Sequence, residues 1–215
     1  MKLGLSISVI LGLLAVPAGA ETEISLYGGF QSAPPSDITV SGDSVLPDDS
    51  FRQSWEGKPF EWPIYAGFRA TYWSSETFGF GLDYTHNKTY PENDVLPAGY
   101  RALEFTDGLN TWTINAYHRW PQFYGTVTPY VGAGLGLSAP GVEVRYGASD
   151  TFEYQITGPA ATWLAGASIP INEKWSAFAE YKGTYTINDV ELDTGGRLET
   201  EIVTNAINFG ISFSF

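Results

Sequence analysis

The 215-residue sequence has no cysteine, only 2 histidines, and 11 Lys plus Arg against 24 Asp plus Glu. Without cysteine there is no disulfide framework, no thiolate nucleophile and no thiolate-held metal cluster. With so few cations and a formal net charge of −13, the chain lacks the basic footprint that nucleic acid requires. Long hydrophobic runs are missing too. The longest, 3–16, is shorter than the ~20 residues of a spanning helix. It follows Lys2 and precedes Ala18-Gly19-Ala20, which predicts a secretory signal peptide over 1–20 and one mature domain over 21–215. No Ser-His-Asp spacing, Gly-rich phosphate loop or HExxH motif is present.

What the chain has in abundance is aromatic residues and glycine: 7 Trp, 13 Tyr, 13 Phe and 24 Gly. The C-terminal stretch 205–215 shows how they are used. Ile207, Phe209, Ile211, Phe213 and Phe215 alternate with Asn208, Gly210, Ser212 and Ser214. Side chains alternate across a strand, so one face is apolar and the other small and polar. A transmembrane barrel strand needs that division, apolar toward lipid and polar toward the lumen. The terminal aromatic also resembles the sorting signal of bacterial outer-membrane barrels.

Similar alternation predicts strands over 23–32, 63–74, 78–88, 109–120, 127–138, 153–169 and 175–187, with the parity of 153–169 left open. Long connections (33–62, 89–108, 139–152, 188–199) alternate with short turns (75–77, 121–126, 170–174). An even strand number with all long connections on one side predicts an all-β, eight-stranded antiparallel up-and-down transmembrane barrel of the Gram-negative outer membrane, with both mature termini periplasmic. A barrel of eight strands is just wide enough to fill with side chains, so no aqueous pore is expected, and a monomer is the expected state.

Three groups of residues could carry chemistry. Arg69, Asp83, Glu180 and Lys182 point into the lumen by strand parity. Charges there must pair, because an isolated buried charge is very costly, so a structural plug is the favoured reading. At the outer rim of the second hairpin, His86 and Lys88 end one strand while Glu104, Asp107 and Asn110 lead into the next. An imidazole with two carboxylates is a candidate catalytic or divalent-metal cluster, His86, Glu104 and Asp107. The plainer alternative is an interfacial histidine beside solvated acids; His118, near the other end of its strand, has only that reading. Finally, 18 of the 24 acidic residues fall in 33–62, 89–108, 139–153 and 188–201. That rim is either a solvated surface or a site where divalent cations bridge to anionic lipid headgroups.

Several stretches resemble a small family of bacterial outer-membrane barrels, the lipid A oxidases: SLYGGFQSAP (25–34), WEGKPFEWPIYAGFRATYW (55–73), GFGLDYTHNK (79–88), EFTDGLN (104–110), TPYVGAGLG (128–136), TGPAA (157–161), EYKGTY (180–185) and TNAINFGISF (204–213). They span almost the whole mature chain. The resemblance implies oxygen-dependent oxidation of the proximal glucosamine of lipid A to 2-aminogluconate, with outer-leaflet lipid A as partner; it implies no particular catalytic residue. Dioxygen needs a cofactor to attack a sugar, and with no flavin or haem motif in the chain a divalent ion at the rim is the simplest candidate. The barrel-type lipid A deacylase motif His-x-Ser is absent. The non-enzymatic alternative is an OmpA-like barrel for membrane anchoring, adhesion or surface display.

Overall fold

The structure is a computed structural model that describes residues 21–123 and 125–215, apart from the side chains of 106 and 107. The predicted signal peptide lies outside the described residues. Those residues form thirteen strands: β1 (Glu21–Ser32), β2 (Ser36–Ser41), β3 (Asp49–Gln53), β4 (Trp55–Glu56), β5 (Ala66–Trp73), β6 (Phe78–Pro91), β7 (Tyr100–Arg119), β8 (Thr128–Ser138), β9 (Gly141–Tyr146), β10 (Ser149–Tyr154), β11 (Gly158–Pro170), β12 (Trp175–Glu191) and β13 (Arg197–Ser214).

Eight of them close a ring in the order β1, β5, β6, β7, β8, β11, β12, β13 and back to β1, every pair antiparallel. The terminal strand closes it: Ile24 pairs with Phe213 and Phe30 with Ile207. Alternation decides what faces where. Leu26, Phe30, Phe80, Leu82, Ile114, Leu135, Phe209 and Ile211 are exposed on the outside, while Ser25, Thr71, Asp83, Thr113, Thr162, Glu180, Lys182 and Asn208 are buried inside. No helix among the described residues is long and apolar enough to cross a membrane. Closure leaves no unpaired strand edge in the apolar zone, which is the condition for a sheet to sit in hydrocarbon.

The long connections are more ordered than the sequence predicts. The first holds β2, β3 and β4, and the third holds β9 and β10. Residues 153 and 154, predicted to open the sixth strand, belong to β10 instead. The second and fourth shrink to 92–99 and 192–196, because β6, β7, β12 and β13 run on past the barrel. β2 adds to the extension of β13, β3 to β2, and β9 to the extension of β7. These extensions meet over a second core, in which Ile38, Val40, Leu103, Phe105, Val142, Val144, Leu198 and Ile202 are all buried. The physical reason is that a strand outside a membrane needs one apolar face only. Ile38 and Val40 alternate with exposed Asp37, Thr39 and Ser41, a pattern hidden in an acidic, proline-rich stretch.

Asp43 ties this dome together. Its carboxylate accepts the N–H groups of Val45, Leu46 and Gly196 at 2.7, 2.8 and 3.1 Å and the Thr194 hydroxyl at 2.7 Å. Burial opposes ionisation, but these bonds outweigh it and hold the carboxyl below its ordinary value. A carboxylate depressed in the folded state stabilises above its unfolded pKa of about 3.9, and that contribution is lost as pH falls through the folded value. Protection against hydrogen exchange at 42–46 and 192–196, relative to the intrinsic rate at each pH, is therefore expected to fall below about pH 4 before that of the barrel strands does.

Candidate functional site

The interior is filled in layers. At the short-turn end, Trp73, Tyr117 and Leu164 pack together with Tyr130. Next comes the ionic group. Arg69 donates from Nε to Asp83 at 2.8 Å and through both terminal nitrogens to Glu180 at 3.0 and 2.8 Å. Lys182 Nζ reaches Asp83 at 2.6 Å, Thr85 Oγ1 at 2.6 Å and Tyr27 Oη at 2.8 Å. Tyr27 donates to Asp83 at 2.7 Å and Tyr130 to Glu180 at 2.8 Å. Asn208 donates from Nδ2 to Glu180 at 3.1 Å, and its Oδ1 accepts the Tyr65 hydroxyl at 2.8 Å. The four sequence-derived lumen residues thus form one group of two cations and two carboxylates with zero net charge. Hydroxyls and amides follow, including Asn115, Thr162, Ser138 and Asn188. The dome core covers the far end. A cavity of about 30 Å³ beside Arg69 holds about one or two waters. This packing fills the lumen around the ionic group and ties its strands together.

The outer rim differs. On β6, His86 follows Phe80, Leu82 and Tyr84 in the outward row. Its register partners are Ala66 on β5 and Asn110 on β7. Asn110 Oδ1 takes the Tyr84 hydroxyl at 2.7 Å and His86 Nδ1 at 2.8 Å; an oxygen accepting both assigns the hydrogen to Nδ1. Tyr84 packs on Trp112 with ring centroids 4.6 Å apart. Gly108 has φ +94 and a Cβ there would collide with the His86 ring, so only glycine fits the irregular point of β7 that seats the imidazole. Next to these residues lies an open groove of about 320 Å³, lined by Tyr84, Asn110, Trp112, Ala139, Tyr154, Gln155 and Ile156.

The structure spaces the residues of the predicted His86–Glu104–Asp107 cluster along the hairpin. Thr89 pairs with Phe105, so Glu104 sits about four residues beyond His86 along the ladder, roughly 13 Å. It pairs instead with Glu143, whose carboxylate Arg145 holds at 3.1 Å. The prediction brought Glu104 to His86 by pairing across the hairpin, whereas β7 begins at Tyr100 and carries Glu104 past the rim in extended chain. The Asp107 side chain lies outside the described residues. Among the described residues no group of three or more metal-ligating side chains occurs. The donors around His86, an imidazole, an amide and a phenol, do not make a divalent-metal centre on their own. His118 packs edge-on to Trp120 at 4.5 Å, as an interfacial residue does. Tyr84 and the 154–156 wall of the groove escaped the sequence reading; the available signal was the hairpin register that sets position 86 opposite position 110.

A family model described as outer membrane protein beta-barrel domain matches residues 6–215. The chain belongs to the outer-membrane β-barrel domain family. Its ring is accordingly embedded in the Gram-negative outer membrane, with short turns periplasmic and the dome extracellular. Among solved structures, neisserial surface protein A (NspA) superposes with a TM-score of 0.51 at 18% identity, covering 92% of this chain and 98% of that one. The N-terminal barrel domain of Pseudomonas aeruginosa OprF gives 0.47 at 16%, covering 91% and 97%. Ail, the attachment invasion locus protein of Yersinia pestis, gives 0.41 at 11%, covering 89% and 99%. At such identities the likeness to NspA is one of fold. No curated protein matches the sequence.

Proposed function

We propose that this barrel acts on lipid A in the outer leaflet, oxidising its proximal glucosamine to 2-aminogluconate with dioxygen as the oxidant. The observation that carries the reading is the outward Tyr84–Asn110–His86 group. It stands at the end of a lipid-facing row, where a membrane barrel ordinarily changes from apolar to headgroup contact, and it borders an aromatic-walled groove. Trp112 and Tyr154 offer faces for a sugar ring, the Asn110 amide and Tyr84 phenol offer hydrogen bonds to its hydroxyl and amino groups, and His86 positions Asn110. The sequence resemblance to lipid A oxidases supplies the reaction class. Such an oxidation calls for a cofactor, and the donors described around His86 do not fit a divalent metal.

The test is the intact mass of lipid A incubated with the purified, folded protein under oxygen and under nitrogen, with and without EDTA. A gain of one oxygen atom that requires both protein and dioxygen is expected. A second reading, surface display or adhesion without catalysis, draws on the dome, whose strands expose Asp37, Asp49, Asp150, Glu153, Glu199 and Glu201. Lipid A left unchanged under every condition would move the function there.

A further inference from the structure

The apolar outer surface does not stop at the end of the barrel strands. Phe30 is the last outward aromatic of β1, and the segment 57–65 between β4 and β5 folds against it. The Phe60 ring meets Phe30 edge-on, with centroids 5.2 Å apart and planes at 87°. Phe60, Trp62 and Ile64 are 68%, 85% and 46% exposed. The segment is braced as a shaped finger. Glu61 N–H donates to the Lys58 carbonyl at 3.1 Å and Tyr65 N–H to the Pro59 carbonyl at 2.9 Å. Lys88 Nζ donates to the Glu61 carbonyl at 2.5 Å. Lys58, at its base, is neutralised by Asp94 at 2.9 Å and Glu56 at 3.2 Å.

A second apolar patch sits beyond β7 and β8. Phe152, Tyr154 and Ile156 are exposed on β10 and the link to β11. That link ends where Pro159 pairs with Leu137, itself exposed in the lipid-facing row of β8. Both patches therefore adjoin the lipid-facing belt, with exposed Glu61 and Glu153 at their polar edges. Contiguous apolar patches of this kind mark an interaction surface rather than a water-facing one. Tryptophan and tyrosine on such a patch suit the membrane interface, where one part of the ring is dry and the polar edge is wet.

We propose that the Phe60–Trp62–Ile64 finger and the Phe152–Tyr154–Ile156 face insert into the outer leaflet, with lipid acyl chains as their occupant. They seat the dome on the membrane surface on either side of β6. This seating holds whichever functional reading of the rim stands.

The absence of native cysteine makes the test direct. Single cysteines replace Trp62, Ile156, Leu135 (lipid-facing) and Asp48 (dome loop), each carrying a fluorophore, in protein whose heat-modifiable gel mobility shows a folded barrel. The proteins are placed in phosphatidylethanolamine–phosphatidylglycerol vesicles containing acyl-chain nitroxide lipid. Trp62→Cys and Ile156→Cys are expected to lose most of their emission, as Leu135→Cys does, and to resist quenching by aqueous iodide. Asp48→Cys should do the reverse. The proposal fails for whichever of the two positions behaves like Asp48, and that face is then open to a soluble partner. As a check that needs no label, Trp62→Phe should reduce quenching of the protein's tryptophan emission by brominated lipid; unchanged quenching would contradict insertion of the finger.

Discussion

Replacing Arg69 by alanine is expected to lower the stability of the barrel by about 3–5 kcal/mol, the scale seen when one partner is removed from a buried ion pair. Among the described residues Arg69 alone touches both Asp83 and Glu180, and the side chains of these two have no solvent exposure. The loss is not shared equally. Asp83 keeps Lys182 and Tyr27 after the substitution, whereas Glu180 keeps only the neutral donors Tyr130 and Asn208. Adding Glu180→Gln to Arg69→Ala should therefore restore part of the stability, because an amide is far cheaper to bury than an unpaired carboxylate. Urea unfolding in lipid vesicles, followed by gel mobility, gives the comparison. A change below about 1 kcal/mol for Arg69→Ala would be the size of an exposed pair and would mean that the lumen is wet.

Deleting Phe215, or replacing it by Lys, is expected to remove most of the assembled protein from the outer membrane. Its backbone N–H donates to the Thr22 carbonyl at 3.0 Å, and its ring stands edge-on to Phe213 at 4.9 Å. Those contacts fasten the closing seam, but burying one aromatic side chain is worth only about 1.5–3 kcal/mol. That is too little to abolish a barrel of this size. The large effect rests on the terminal aromatic acting as an assembly signal. The two contributions separate experimentally. The purified variant should refold in detergent with a modest loss of stability, while membranes of expressing cells contain little of it. Normal membrane yield would refute the signal, and failure to refold in detergent would make Phe215 a structural residue first.

The barrel was legible because lipid on one side and a crowded lumen on the other impose the same period-two rule on every strand, seen at its cleanest in 205–215. Strand parity also placed Arg69, Asp83, Glu180 and Lys182 together in the lumen before any contact was known. Parity and hairpin pairing brought His86 to the outer rim beside Asn110. The dome was not legible. Its strands bury a single face in short runs such as Ile38-Thr39-Val40, embedded among Asp, Ser and Pro that otherwise signal loops. The position of Glu104 was lost for a related reason. The register of β6 and β7 shifts between 87 and 89, and an irregularity of that kind leaves no periodic trace. Nor could alternation reveal that Tyr154 and Ile156 wall the groove, because β10 reaches it through pairing with β9 rather than through the barrel ring.

On the proposed function the protein works at its lipid-facing rim and its lumen only braces the barrel. This division is tested most directly by the lipid A of cells expressing His86→Ala or Asn110→Ala beside cells expressing Lys182→Met, each confirmed as folded by heat-modifiable mobility. Intact-mass spectrometry should show the one-oxygen gain lost in the two rim variants and retained in Lys182→Met. Oxidised lipid A in both rim variants, with loss of the product in folded Lys182→Met, would contradict the account and put the chemistry in the lumen.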